Sequence, residues 1–290
     1  MVKLWSMNSD QPNPANNPTS IDKAGPPGAI APTSGSVAGA PGNPHSVGPG
    51  QVAPTFSPLY QQIKALITQS LQASEWKPGE LIPSEVDLAA RFKVSQGTVR
   101  KAIDELSAEN VVVRRQGKGT FVATHHEARS QFRFLRLKPD QGIQQYPTSR
   151  FIEVKRIRAP SEIAKLLDIK VADSVIFIRR VQSFDGVPTI LEDLWLPGAI
   201  FKGLTAELLN EYKGPMYALF ETEFGTHMIR ASEQIRSVNA NEAAAELLKV
   251  AIETPLLNVE RVSYTYGDKP VEFRRGLYIT LNHHYQNELS

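Results

Sequence analysis

From Ser57 onward the apolar positions first follow a helical period and later alternate as in strands, and this change of period divides the chain. Leu59, Ile63, Leu66, Ile67 and Leu71 share one helical face behind Ser57-Pro58, a cap and first-turn pair, and predict a first helix. A short helix is expected from Ser84, whose hydroxyl caps free amides while Asp87 adds favourable charge, with Leu88, Ala89 and Phe92 on its buried face. After a turn at Lys93 and Val94, Ser95 caps another helix in which Val99, Ala102, Ile103 and Leu106 recur at helical offsets. Residues 111–113 read as a strand, 114–119 as a basic turn and 120–122 as the returning strand.

From residue 149 the pattern changes to strands separated by a few helices, an α+β arrangement built on an antiparallel sheet. Strands are expected at 149–159, 175–184, 188–196, 229–238, 256–266 and 271–280, and helices at 161–167, 204–212, 216–224 and 241–249. Ala244, Leu247 and Leu248 should face inward from the last of these helices. Asp185-Gly186 is a two-residue hairpin signal, and residues 267–270 form a second turn between paired strands. The mixed stretch 124–147 reads as a linker, with alternation at 132–137 that suggests an opening strand for the second domain.

Two helices joined by a short turn and followed by a basic hairpin give a winged helix-turn-helix, which makes double-stranded DNA the expected partner. Gln96, Gly97, Thr98, Arg100 and Lys101 lie opposite the apolar stripe of the second helix and offer donors to a major groove, with Ser84 and Ser95 at the helix starts. In the wing, Arg114, Arg115 and Lys118 supply charge for phosphates. Gln116, Gly117, Gly119 and Thr120 complete a turn whose glycines let the backbone come close. The plain alternative is a small helical domain with a solvated basic surface.

Composition narrows the picture. A chain of 290 residues is long for one domain, and a formal charge of +2 means that DNA affinity must come from local clustering. Residues 1–55 are rich in Pro, Gly, Ala, Ser and Asn and are expected to be a disordered tail, because they hold too little apolar surface to offset the entropy of ordering. With no cysteine, disulfides and thiolate chemistry are excluded. No apolar run approaches the roughly 18 residues of a membrane span, and no secretory signal is visible, so a cytoplasmic protein without membrane contact is expected. His125 and His126 are adjacent but lack acidic or cysteine partners nearby in sequence; they read as solvent-exposed, and no metal or cofactor is expected. The domain boundaries are thus 1–55 for the tail, 56–123 for the head, 124–147 for the linker and 148–287 for the second domain.

The strings PSEVDLAA, VSQGTVRKAI and RRQGKGTFV resemble the bacterial GntR regulators across the head. Val86 and Gln96 stand where that family commonly has DNA-contacting arginines, and Arg100 matches the third. Since Gln suits adenine and Arg suits guanine, an operator departing from the usual half-site is expected. Downstream, VIFIRRVQSFDGVPTILEDLWLP, PMYALFETEFG, ASEQI and VEFRRGLYITLNHHY resemble the effector-binding UTRA domain of the HutC-like branch, whose fold is that of chorismate lyase. The resemblance implies effector contacts from Arg180, Gln182, Glu192, Tyr217, Glu272 and Tyr278. Gln182 replaces the second arginine of an Arg-x-Arg pair and Pro215 replaces a hydroxyl residue. A small carboxylate, amino-acid derivative or weakly charged metabolite therefore fits better than a sugar phosphate. An internal ion-pair network among Arg180, Glu192 and Glu272 is the other reading. The implied function is a ligand-responsive, homodimeric transcriptional repressor and not an enzyme. A DNA-architectural protein with a vestigial sensor, and a lyase using Glu192, Glu272, Tyr278, His283 or His284, are the alternatives.

Overall fold

Apolar spacing sets the three helices of the head and side-chain caps start two of them, while the first begins at Pro58 without the cap expected from Ser57. The computed structural model describes residues 57–126, 134–143 and 146–287, so the tail expected to be disordered lies outside the described residues. Helix α1 is Leu59–Gln72, α2 is Glu85–Phe92 and α3 is Gln96–Ala108. Ser84 and Asp87 form a reciprocal capping box on α2, which stops at Lys93 in the left-handed region (φ 54°). Ser95 caps α3 through the Thr98 amide. Ile63, Ile67, Leu71, Leu88, Val99, Ala102, Ile103 and Leu106 form one core with Val111, Val112 and Val122 from the hairpin. That hairpin, β1 (Val112–Arg115) and β2 (Gly119–Val122), turns through Gly117 and Gly119 at φ 71° and 107°, which a Cβ would strain.

The second domain is built on a six-stranded antiparallel sheet. Its strands are β4 (Thr148–Arg158), β5 (Ser174–Phe184), β6 (Val187–Pro197), β7 (Arg230–Asn239), β8 (Pro255–Tyr264) and β9 (Pro270–Tyr278), in the order β4-β5-β6-β9-β8-β7. Asp185 and Gly186 both have positive φ between the paired ends Phe184 and Val187, the turn that matches strand twist. Period-two alternation splits β5 between two cores. Ile176 and Ile178 pack with Phe201 and Phe220 beneath α5 (Ala206–Glu211) and α6 (Met216–Phe224). Val175 and Phe177 pack with Ile163 of α4 (Ser161–Leu166) and with Trp195 and Phe273. Helix α7 (Glu242–Leu248) covers Val181 and Leu191 with Ala244 and Leu248, while Leu247 is only partly buried.

Two expectations are corrected by packing. The strand expected at 132–137 begins only at Leu137: β3 (Leu137–Pro139) pairs with β10 (His283–Tyr285) in a separate two-stranded sheet, and residues 132–133 lie outside the described residues. His125, in the stretch read as a linker, is not solvent-exposed. Thr124 and His125 are buried against the second domain, and Ile229 and Tyr266 of that domain join the head's core. Local sequence carries no sign of these contacts, since all of them are made by residues far along the chain. Among the described residues, no helix is long and apolar enough to cross a membrane.

Candidate functional site

Glu85 organises the exposed face of the head. Its carboxylate accepts Nε of Arg100 at 2.9 Å, Nη2 of Arg114 at 3.0 Å and the Gln96 amide at 3.4 Å, tying α2, α3 and β1 together. Arg114 also pairs with Asp104. A groove of about 560 Å³ runs between α2 and the wing, lined by Ser84, Val86, Gln96 and residues 114–120. The structure thus brings Ser84, Gln96, Arg115, Gln116, Gly117, Lys118, Gly119 and Thr120 to one concavity. Arg115 lies over the Phe121 ring, 4.4 Å from its centroid. Ser95 and Thr98 bond to each other at 2.9 Å on the first turn of α3, beside Gly97. Lys101 is drawn toward α1, its ammonium 4.0 Å from the Tyr60 ring centroid. Val86 is 60 % exposed, an aliphatic side chain amid polar groups.

A cavity of about 780 Å³ opens between the sheet and α5–α6. Arg180, Gln182, Glu192, Tyr217 and Tyr278 line it together with Arg261 and Arg274, and Glu272 lies fully buried beneath them. Arg180 and Glu192 sit opposite each other on β5 and β6, with Nη2 to Oε2 at 2.6 Å. Arg274 donates to Glu192 at 3.0 Å and to Glu272 at 3.0 Å. The Tyr217 hydroxyl donates to Glu272 at 2.7 Å. The ion-pair network read as an alternative from sequence is therefore present, and its members also line the cavity.

Burial pushes the Glu192 carboxyl up, but Arg180 and Arg274 outweigh it and hold the group down at about 2. Desolvation likewise works against the Arg274 charge, and Glu192 and Glu272 overcome it and raise the guanidinium. Burial raises the Tyr217 phenol, keeping it a neutral donor. Arg261 completes the charged floor: Nε reaches Glu233 at 2.6 Å and Nη2 reaches the Phe134 carbonyl at 2.7 Å.

Sequence reading missed Arg261 and Arg274. A signal existed, because Glu272 and Arg274 are two apart on one strand and so share a face, while Arg261 and Arg274 are register partners on β8 and β9. Gly276 is needed on the same strand, since a Cβ there would collide with the Tyr278 ring. Pro215, which also lines the cavity, precedes α6 as its first boundary residue. His125, expected to be exposed and without partners, is instead buried beside Glu221 and His227. His126 is the exposed one of the pair, with its ring 3.0 Å from the Thr222 hydroxyl.

A winged helix-turn-helix joined to an antiparallel sheet over a charged cavity defines a DNA-binding regulator with a ligand-responsive domain. Residues 59–122 match the bacterial regulatory proteins of the gntR family, and residues 142–283 match the UTRA domain. The probable transcriptional regulator PhnF of Escherichia coli strain K12 is 31% identical over 76% of this chain and 91% of its own length. A probable fructoselysine utilization operon transcriptional repressor from the same organism is 28% identical over 73% of this chain and 87% of its own. The crystal structure of the ligand-binding domain of a putative GntR-family regulator from Bordetella bronchiseptica is 51% identical. It covers 55% of this chain and 98% of that one, with a TM-score of 0.53. The chain belongs to the GntR family of bacterial transcriptional regulators and carries a UTRA domain.

Proposed function

We propose that the protein is a homodimeric repressor that binds a two-half-site operator and leaves it when a small, lightly charged carboxylate enters the cavity. Repression is supported by relatives named as repressors, among them the fructoselysine regulator. Gln96, Thr98 and Arg100 face the bases, and Arg115 and Lys118 hold phosphates beside the glycine turn. Ser84 and Ser95 hold the first turns of α2 and α3 by capping, which presents Gln96 and Gly97 toward the groove. Lys101, drawn to Tyr60, contributes charge at the margin. Two modest heads on one dimer gain effective concentration on an inverted repeat.

The observation that carries the ligand class is charge balance. Arg180 and Arg274 are already paired with Glu192 and Glu272, Arg261 is paired with Glu233, and Gln182 adds no charge. A doubly charged phosphate would have to break several of these buried pairs, whereas one carboxylate displaces a single partner. The volume of about 780 Å³ suits a metabolite-sized ligand. Catalysis is not proposed, because Glu192 is held far below neutral pH by two arginines and is unsuited to proton transfer.

The test is a thermal-melting screen of small carboxylates alongside phosphate esters, with each stabilising compound then added to the protein–operator complex. The expected result is stabilisation by a carboxylate that also releases DNA, with both effects lost in Arg180→Met. A folded Arg180→Met protein that keeps full ligand affinity removes Arg180 from the site. Hits confined to phosphate esters overturn the ligand class.

A further inference from the structure

Thr124 and His125 leave the wing and enter the second domain, where His125 meets Glu221 of α6 and His227. These residues are 3 %, 7 % and 3 % exposed, and their candidate ligand atoms all lie within 4.8 Å of one another. Glu221 accepts the Thr124 hydroxyl, the His125 amide at 2.9 Å and Nδ1 of His227 at 2.7 Å. Nε2 of His125 accepts the Met228 amide at 3.2 Å, so this nitrogen carries a lone pair. The two imidazole rings stand 4.5 Å apart between centroids.

A carboxylate removed from water calls for a cation. Glu192, Glu272 and Glu233 each have an arginine, but among the described residues Glu221 has only His227 within ion-pair distance. Two imidazoles and one carboxylate converging from separate chain segments are the donor set of a divalent transition metal. We propose that His125, Glu221 and His227 bind Zn²⁺, with water in the remaining position. On binding, Nδ1 of His227 gives up the proton it shares with Glu221, which moves to Nε2 of a neutral ring or leaves an imidazolium for solvent, and the metal takes the place of the Met228 amide at His125. The Thr124 hydroxyl and the His125 amide stay on Glu221 and orient it. Tyr217 stands one turn before Glu221 on α6 and lines the effector cavity, as His125 does. The metal thus clips the segment leaving the wing to the helix that walls the cavity.

The full chain, free of any affinity tag and stripped with chelator, is titrated with ZnCl₂ by calorimetry and with Co²⁺ by visible absorption. The expected result is one metal per protomer and the intense visible band of four-coordinate cobalt. Glu221→Gln and His227→Ala each weaken binding by about 100-fold or more. His283→Ala/His284→Ala, which alters a histidine pair elsewhere, leaves binding unchanged. Circular dichroism checks the fold of each variant, and the near-isosteric Glu221→Gln decides the matter should His227→Ala unfold. A wild-type chain that takes up neither metal, or a folded Glu221→Gln chain that binds both as tightly as wild type, overturns the proposal.

Discussion

Glu192, itself buried, accepts hydrogen bonds from Arg180, Arg274 and the Tyr278 hydroxyl. Replacing it with alanine leaves two guanidiniums buried with too little counter-charge. Glu192→Ala is therefore expected to cost about 3–5 kcal/mol in chemical denaturation. A loss under ~1 kcal/mol would show that water or local relaxation satisfies the arginines. The same carboxylate sets an acid dependence. Its folded pKa of about 2 lies below the ordinary 4.5, so its contribution is complete above pH 4.5 and is lost as pH falls toward 2. In Glu192→Gln, the stability-against-pH slope between those limits should be shallower than in wild type. Arg180 and Glu192 were legible in the sequence because the resemblance supplied positions and the hairpin at Asp185-Gly186 sets them opposite each other. Glu221 and His227 were not, since their partner His125 lies about a hundred residues away and nothing local marks the meeting.

At the scale of elements, the caps and the wing were the most legible parts. Ser84, Ser95 and the paired glycines act through neighbours three or fewer residues away, so spacing alone places them. The strand near residue 137 was not, because its partner β10 comes from the far end of the chain and its few residues carry no sustained period. The wing also yields a clean electrostatic prediction. Lys118 is exposed on the turn, and Lys118→Ala should weaken binding about equally on specific and scrambled duplexes while lowering the salt slope by about 1. A change confined to one base position would instead place Lys118 among the base-reading groups. On α3, Gln96→Arg should shift preference from adenine toward guanine by about 1–3 kcal/mol at one position per half-site, read by competition between duplexes. An unchanged preference would remove Gln96 from the reading surface.

For the whole molecule, what joins head to sensor is contact between residues far apart in the chain. Ile229 and Tyr266 enter the head's core, and Thr124 and His125 enter the second domain, so a ligand that moves α6 or its neighbours acts on groups already packed against the segment leaving the wing. Such a ligand shifts the head only as far as it favours one arrangement over the other. The architecture of two domains and their order was readable from apolar periodicity. Their mutual packing was not, because burial of Thr124 and His125 depends on surfaces that only the folded second domain creates. Whether a dimeric head reads sequence is decided by selecting binding sites from a random duplex library at near-physiological salt. The expected outcome is enrichment of an inverted repeat with two adenine-containing half-sites that departs from the usual family half-site, bound at least ~100-fold tighter than scrambled DNA. Recovery of the ordinary family half-site would contradict the role given to Val86 and Gln96. No enrichment, with equal and steeply salt-sensitive binding to all duplexes, would contradict sequence-specific regulation itself.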